Sequence, residues 1–348
     1  MADLPVQEIL DRATLAADAR WPGASINDLE PLIGGVSSLT FAARLQGAGE
    51  QSGRVVVKVA PPGLAPVRNR DVLRQARVLD ALRAVPNVLV PGVLLTDAGQ
   101  PPSQPPMFVM EYVEGEAYEP KKDQSATPPS PATVVARATA AARMLAYIHT
   151  PEPSELGLAS EPVISLSEEL ERWARLFATV GDDLRHQETK LRERLRESIP
   201  EPAGARVVHG DYRIGNIQFL GPELSAVIDW EIWSVGDPRT DLAWLLAYTD
   251  PVQRFHLHRD AANQAASDAV PHQSELLAEY LSVRPIDTVG LDWFLAYCYY
   301  KIASTTAALA KRNRRLARPD PGLEVAASTL APVIERGLQI MEGALERK

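Results

Sequence analysis

The run His209-Gly-Asp-Tyr-Arg-Ile-Gly-Asn216, followed by Val227-Ile-Asp-Trp-Glu231, constrains this chain more than any other feature. It sets a carboxylate at Asp211, an amide at Asn216 five residues on, and a second carboxylate at Asp229 thirteen residues beyond that. Each stands beside a short apolar, β-like stretch. Moving a phosphoryl group from a nucleotide needs such a set: one carboxylate takes the proton of the attacking hydroxyl, while an amide oxygen and another carboxylate hold Mg²⁺ on the phosphates. Asp211 is therefore read as the general base, and Asn216 and Asp229 as oxygen ligands for a hard cation. Asx-turns in a surface loop are the bland alternative for the same residues. Arg213, two residues past the base, suits neutralisation of a transferring phosphoryl group, with a surface salt bridge as the competing role. His209 is read as a brace for the loop backbone. Asp237 and Asp241 are read as structural supports, Asp237 as a helix cap ahead of Pro238.

The first third of the chain reads as mostly β. Leu29–Ile33 and Leu39–Leu45 flank Gly34-Gly35 and suggest a hairpin with a glycine turn. Gly34, Gly35, Ser37 and Ser38 there would let backbone N–H groups approach phosphates closely. Arg54–Ala60 is a β-branched strand, Asp71–Ala84 has helical spacing, and Val90–Leu95 and Met107–Val113 read as two further strands. On the strand around Lys58, alternation puts Val56, Lys58 and Ala60 on one face. A lysine between apolar neighbours needs a reason, and pairing with nucleotide phosphates supplies one; an edge lysine that discourages aggregation is the alternative. Tyr118–Pro131 reads as an exposed, mobile connection. Helical patterns then dominate: Pro131–His149, Ser167–Val180, Asp182–Ile199, Asp241–Tyr248, Ser274–Leu281, Leu291–Arg312 and Gly322–Glu346. The expected organisation is α+β and bilobal, with a small antiparallel-sheet lobe at 1–113 and a larger, mostly helical lobe at 114–348 that carries the acceptor pocket.

Composition sets bounds. With 36 basic and 45 acidic residues the net charge of −9 argues against general nucleic-acid binding. The single cysteine, Cys298, excludes an internal disulfide or a cysteine metal cluster and reads as a small buried residue. The N-terminal stretch carries acids and no basic region, and no run of 18 apolar residues occurs, so neither export nor membrane insertion is expected and a cytoplasmic setting fits. The P-loop pattern and the Gly-x-Gly-x-x-Gly and Gly-x-Ser-x-Gly patterns are all missing. A metal-dependent hydrolase on His209, Asp211 and Asp229 would want clustered histidines that the chain lacks. Seven residues separate Asp229 from Asp237, too few for a regulatory segment or a docked peptide, which favours a small-molecule acceptor. Tyr297, Tyr300 and Lys301 are read as core residues first and pocket residues second.

These elements, in this order, resemble the aminoglycoside phosphotransferase family, a branch of the protein-kinase-like fold. The resemblance rests on His209-Gly-Asp-x-x-x-x-Asn216, Ile228-Asp-Trp-Glu231, Gly236-Asp-Pro-x-x-Asp-Leu-Ala243, the Gly34–Phe41 segment, the Lys58 strand and Phe108–Gly115. In motif wording it looks closest to kinase-like domains fused to some acyl-CoA dehydrogenases. It implies ATP (or GTP) with Mg²⁺ as cofactors and a small hydroxylated acceptor, either an antibiotic or a hydroxylated or hydroxyacyl metabolite. It also implies that Glu111, Tyr112 and Val113 form a hinge whose backbone hydrogen-bonds the nucleobase. Two departures stand out. Gln75 occupies the place of the family's glutamate that pairs with the strand lysine, and Ser38 stands where asparagine is frequent. The first leaves open a kinase-like nucleotide-binding module with weak or lost catalysis.

Overall fold

The computed structural model describes residues 6–32, 38–250, 252, 255–256 and 258–346. The chain divides into two compact units, residues 1–115 with 156–158 and 225–233, and the remainder. The first unit opens with a helix that the β-like reading of this region missed, α1 (Val6–Arg20), followed by β1 (Ser25–Pro31), β2 (Leu39–Gln46), β3 (Gly53–Val59), α2 (Val72–Arg83), β4 (Val93–Asp97) and β5 (Met107–Glu111). The five strands form one sheet in the order β1-β2-β3-β5-β4, every neighbouring pair antiparallel. Ile9, Ala13 and Ala17 repeat at the i, i+4, i+8 spacing of one helix face. They are fully buried against Ile26, Phe41, Leu45, Val55, Val57, Val59 and Val109. That stripe is mostly alanine, so its hydrophobic signal in the sequence is faint.

The alternation read for β3 is present: Val55, Val57 and Val59 belong to the α1-facing core, leaving Val56 and Lys58 to the other face. Strand β4 starts at Val93 rather than Val90, because Pro91 has no N–H to give a ladder and the Val90 carbonyl accepts from Arg83 instead. Asp71 caps α2 by accepting the Arg74 N–H at 2.9 Å. The segment 225–233 is fastened to α2: the Trp233 indole donates to the Arg74 carbonyl, Arg74 donates to the Trp233 carbonyl, and the guanidinium lies 3.8 Å from the Trp233 ring centre. The Gly34-Gly35 turn and Ser37 lie outside the described residues.

The second unit holds α3 (Pro131–Ile148), α4 (Leu166–Phe177), α5 (Glu188–Glu197), β6 (Arg206–Val208), β7 (Ile217–Leu220), the start of β8 (Glu223–Val227), β9 (Ser234–Gly236), α6 (Arg239–Tyr248), α7 (Ala261–Asp268), α8 (Gln273–Val283), α9 (Leu291–Asn313), α10 (Pro321–Ser328) and α11 (Leu330–Glu346). Its core surrounds α9, which buries Trp293, Phe294, Tyr297, Cys298, Tyr299 and Tyr300 against α4, α5, α6, α10 and α11. The expected helix from Asp182 is a 3₁₀ turn (Asp182–Leu184) followed by α5, with His186 between them at φ 48°. The expected Gly322–Glu346 helix is two helices. Pro332 lacks the N–H that a continuous helix needs and is tolerated only in the first turn of α11.

The start of the Tyr118–Pro131 connection departs from the expectation of an exposed link, while most of the rest is exposed or half-buried. Tyr118, Glu119 and Pro120 are buried. Tyr118 donates to Asn263 Oδ1 at 2.9 Å, the Ser125 N–H donates to the same oxygen, and Asn263 Nδ2 donates to the Ser125 carbonyl. Asn263 sits on α7, a helix capped by Asp260 that the sequence reading passed over. Removing core volume from α1 tests its contribution. Ile9→Ala should lower unfolding free energy by about 2–5 kcal/mol in urea titration, whereas an unchanged midpoint would mean that α1 adds nothing to the stability of the sheet.

Candidate active site

The loop after β6 has its polar groups assigned almost one by one. The buried Asp241 carboxylate, on the first turn of α6, accepts the His209 N–H at 2.5 Å and the Gly210 N–H at 2.9 Å. Gly210 adopts φ 86°, a left-handed conformation that glycine adopts freely. Its carbonyl accepts from Lys301 Nζ at 2.5 Å. The Asp211 N–H donates to Nδ1 of His209, which is fully buried, so His209 braces the loop as expected from sequence. Tyr212 turns inward and donates to the Ala141 carbonyl at 2.7 Å.

Asp211 itself is half-buried, and both of its oxygens are held. Oδ1 accepts the Trp244 indole N–H at 2.8 Å, while Oδ2 accepts Asn216 Nδ2 at 2.8 Å and Arg213 Nε at 3.4 Å. Asn216 Nδ2 also donates to the Asp211 carbonyl. With its NH₂ group turned to Asp211, Asn216 keeps only Oδ1 as a ligating atom. Arg213 is shared between Asp211 and Glu119, whose Oε2 lies 3.7 Å from it. Glu119 further accepts the Gly215 N–H at 3.0 Å. A Cβ at Gly215 would run into the Arg213 guanidinium and lie 2.9 Å from Glu119 Cβ, so this close approach requires glycine.

The other sequence candidates belong to the first unit. Lys58 is buried, and its Nζ lies 3.6 Å from Asp229 Oδ1. Asp229 is exposed and adopts φ 66°, ψ 53°, a conformation uncommon outside glycine and asparagine or aspartate and often found at functional sites. Gln75 is buried but does not meet Lys58; its Nε2 donates to the Asn69 carbonyl at 3.3 Å. The Lys58 charge is thus met by Asp229 rather than by the α2 side chain. Ser38 is buried, and its hydroxyl has no hydrogen-bond partner among the described residues. Glu111 spends its carboxylate on Arg83 and the Gly92 N–H, and its own N–H on the Gly92 carbonyl. Tyr112 lies under the Arg54 guanidinium, 3.7 Å from ring centre to carbon, with Val113 next in the chain.

Tyr297, Tyr300 and Lys301 are core residues. Tyr297 donates to Glu169 and accepts from Trp173, Tyr300 donates to Glu188, and Lys301 lies 4.0 Å from the Trp244 ring centre. Trp244 and Glu119 are the site residues that sequence reasoning missed. Trp244 follows Asp241 by three positions in a helix that reads as plain core, and Glu119 falls in a proline- and lysine-rich stretch that reads as surface.

Burial raises the Glu119 carboxyl, and Arg213 and the Gly215 N–H only partly reverse this, leaving it at about 6 against an ordinary 4.5. In Asp241 the same burial is outweighed by the His149 side chain and the loop N–H groups, which hold the carboxyl below its ordinary value. His149, fully buried with Nε2 3.6 Å from Asp241, has its pKa lowered by burial, an effect that the Asp241 carboxylate partly opposes. Linkage gives Glu119 a sign. The native state keeps its proton up to about pH 6 while the unfolded chain releases it near 4.5, so this group's stabilising contribution is complete below 4.5 and is lost as pH rises through 6. Glu119→Gln should therefore flatten the wild-type fall in melting temperature between those pH values. Parallel pH–stability curves for the two proteins would contradict it.

A model of the phosphotransferase enzyme family matches residues 28–277. Acyl-CoA dehydrogenase family member 11 of Rattus norvegicus is 27% identical over 298 residues, covering 83% of this chain and 38% of that protein. The chain thus spans less than two fifths of that relative's length. A crystal structure of a putative aminoglycoside phosphotransferase from Ralstonia eutropha superposes with a TM-score of 0.73 at 24% identity, covering 96% of this chain and 98% of the other. A thermostable mutant of an aminoglycoside phosphotransferase, in ternary complex with ADP and hygromycin B, superposes at 0.59 with 14% identity, covering 93% and 98%. At these identities the structural likeness is one of fold. Carried by the family match over residues 28–277, the conclusion is that the chain belongs to the phosphotransferase enzyme family, with its α+β, protein-kinase-like fold.

Proposed function

We propose that this chain is an ATP- and Mg²⁺-dependent phosphotransferase that moves the γ-phosphoryl group onto a hydroxyl of a small molecule. The observation that carries this reading is Asp211: a carboxylate on a fully braced loop, both oxygens oriented, one of them by the side chain of a candidate metal ligand. Orientation of this kind is the main service a base renders in phosphoryl transfer, where positioning outweighs covalent chemistry.

The residues fit the proposed cofactor chemically. Asn216 offers an amide oxygen because its NH₂ is spent on Asp211, and Asp229 offers an exposed carboxylate; both are hard oxygen donors suited to Mg²⁺. Among the described residues no group of three or more His, Cys, Asp or Glu could hold a metal ion. The phosphates would then complete the coordination, as is usual for Mg²⁺ on a nucleotide. Mg-ATP would supply the phosphoryl donor and the counter-charge for its oxygens. Lys58, with its stem buried and its ammonium beside Asp229, would bind phosphate oxygens, and Glu111–Val113 would meet the nucleobase through the backbone, ATP before GTP. Arg213 would lend part of a charge already shared with two carboxylates. Gly34, Gly35, Ser37 and Ser38 would line the phosphates. Gln75 would act only indirectly, through its α2 position.

Only seven residues join Asp229 to Asp237: a 3₁₀ turn (Trp230–Ile232), Trp233 and β9. A constitutive site for a small acceptor follows from that economy. A cavity of roughly 670 Å³ in the second unit, lined by Lys121, Thr249, Asp250, His272, Gln273 and Arg336, has the size of a ligand pocket. Its walls continue the segments that hold the catalytic loop, Lys121 from Glu119 and Thr249 from the end of α6. We assign it to the acceptor. A nucleotide-binding module with slow or lost chemistry is the second reading, favoured by the turning of Gln75 to Asn69 rather than Lys58.

Among the described residues no helix is long and apolar enough to cross a membrane. Mg-ATP should raise the melting temperature, EDTA should abolish that shift, and Asp211→Asn should bind Mg-ATP within about threefold of wild type while losing 10²–10⁴-fold in transfer to a panel of hydroxylated metabolites and antibiotics. Normal turnover by that variant would remove Asp211 from the role, and absence of Mg-ATP binding would end both readings. For an acceptor found in that panel, Gln273→Trp should raise its KM at least tenfold with Mg-ATP affinity unchanged. An unchanged KM would place the acceptor elsewhere.

A further inference from the structure

We infer that Oδ1 of Asp211 is the atom that takes the acceptor's proton, and that Trp244 is the positioning residue that aims it. The inference rests on Asp211 being the base. A carboxylate has about four lone-pair directions, two on each oxygen. On Oδ2 both are engaged, by Asn216 Nδ2 at 2.8 Å and Arg213 Nε at 3.4 Å. On Oδ1 a single donor is present among the described residues, the Trp244 indole N–H at 2.8 Å. One direction on Oδ1 therefore stays open to a hydroxyl, and the indole fixes which one it is.

Trp244 is built to hold that direction. Its side chain is buried, and its ring packs tilted against Tyr248 with centroids 5.2 Å apart. The Lys301 ammonium lies 4.0 Å from its ring centre and 5.2 Å from that of Trp173. A buried lysine between two aromatic faces is stabilised by the ring quadrupoles. This one also donates to the Gly210 carbonyl, one residue before the base. Backbone and carboxylate of the catalytic aspartate are thus referred to the same packed cluster: Lys301 sets the chain just before it, and the indole that Lys301 supports sets Oδ1. Simple space-filling would need the ring but not the N–H.

In the step so aimed, the acceptor oxygen bonds to the γ-phosphorus while the bond from phosphorus to the β–γ bridging oxygen breaks. ADP leaves with that electron pair, and the hydroxyl proton passes to Oδ1. A base held in one direction spares the reorientation that a free carboxylate would need at the transition state.

The test uses Mg-ATP turnover with water as acceptor, in the wild type, Trp244→Phe, Asp211→Asn and the double variant. Phenylalanine keeps an aromatic face for Lys301 and removes the N–H. Trp244→Phe should cut kcat 10- to 100-fold with the KM for Mg-ATP within twofold. In the Asp211→Asn background it should change nothing further, because a residue acting only through Asp211 has no second route to the rate. Losses that multiply in the double variant, or full kcat in Trp244→Phe, would overturn the inference and leave the indole as filler. Should Trp244→Phe not fold, the ¹⁵N indole N–H resonance of Trp244 decides the matter in a folded protein. It should move when Asp211 becomes Asn, and a stationary resonance would refute the contact. A wild type that binds Mg-ATP but turns it over with neither water nor any hydroxyl of that panel would remove the base assignment and this inference together.

Discussion

The buried Asp241 carboxylate is the interaction on which the candidate site depends. Two consecutive N–H groups, from His209 and Gly210, point at one side chain on the first turn of α6. Hydrogen bonds to a charged acceptor of this kind are worth about 1.5–3 kcal/mol each, and a buried carboxylate without them would be costly. The cost is reduced because polar groups meet the charge, the loop N–H groups and the buried His149 ring. Its position at a helix N-terminus adds a favourable dipole. The loop consequently has little choice of conformation before any substrate arrives.

From that anchor the remaining contacts read as consequences. With the backbone of residues 209–210 held, Asp211 emerges at one place, where α6 presents Trp244 one turn beyond Asp241. Asn216 returns from the far end of the loop to the same carboxylate, so a candidate base and a candidate metal ligand are fixed by one hydrogen bond. Arg213 and Glu119 form a second tier, a partly compensated pair in which burial keeps the acid's proton affinity high. Charge is handled differently in the first unit. There Lys58 and Asp229 pair at 3.6 Å, with Asp229 in a left-handed conformation and Gln75 engaged elsewhere. An ion pair of this length, half exposed, is weak and would yield readily to phosphates and a cation.

Much of this was legible in the residues themselves. The alternation of Val55 to Val59 placed Lys58 on the face away from the α1 core, the spacing of Asp211, Asn216 and Asp229 pointed to phosphoryl chemistry, and the motifs resembled the family to which the chain belongs. Helix α1 escaped because Ile9, Ala13 and Ala17 form a stripe too small in side-chain volume to stand out. The burial of Tyr118, Glu119 and Pro120 escaped because the proline, lysine and serine content of their stretch resembles that of exposed links. The burial of Tyr118 depends on Asn263, 145 residues away. Gln75 stands where the resemblance puts the partner of Lys58, yet its amide donates to the Asn69 carbonyl and is satisfied locally.

The sequence by itself determined which chemistry could be proposed, because a candidate base and candidate amide and carboxylate ligands must be particular residue types at short, chain-limited intervals. It also determined the sheet face that carries Lys58, since alternation along a strand is a property of the backbone. Tertiary structure alone decided how Asp211 is aimed. Trp244 lies 33 residues from it, Glu119 lies 96 from Gly215, and Lys301 lies 91 from Gly210. Contacts over such separations are chosen by packing, and a tryptophan in an apolar helix looks the same in sequence whether its N–H meets the carboxylate of a loop such as this or a backbone carbonyl.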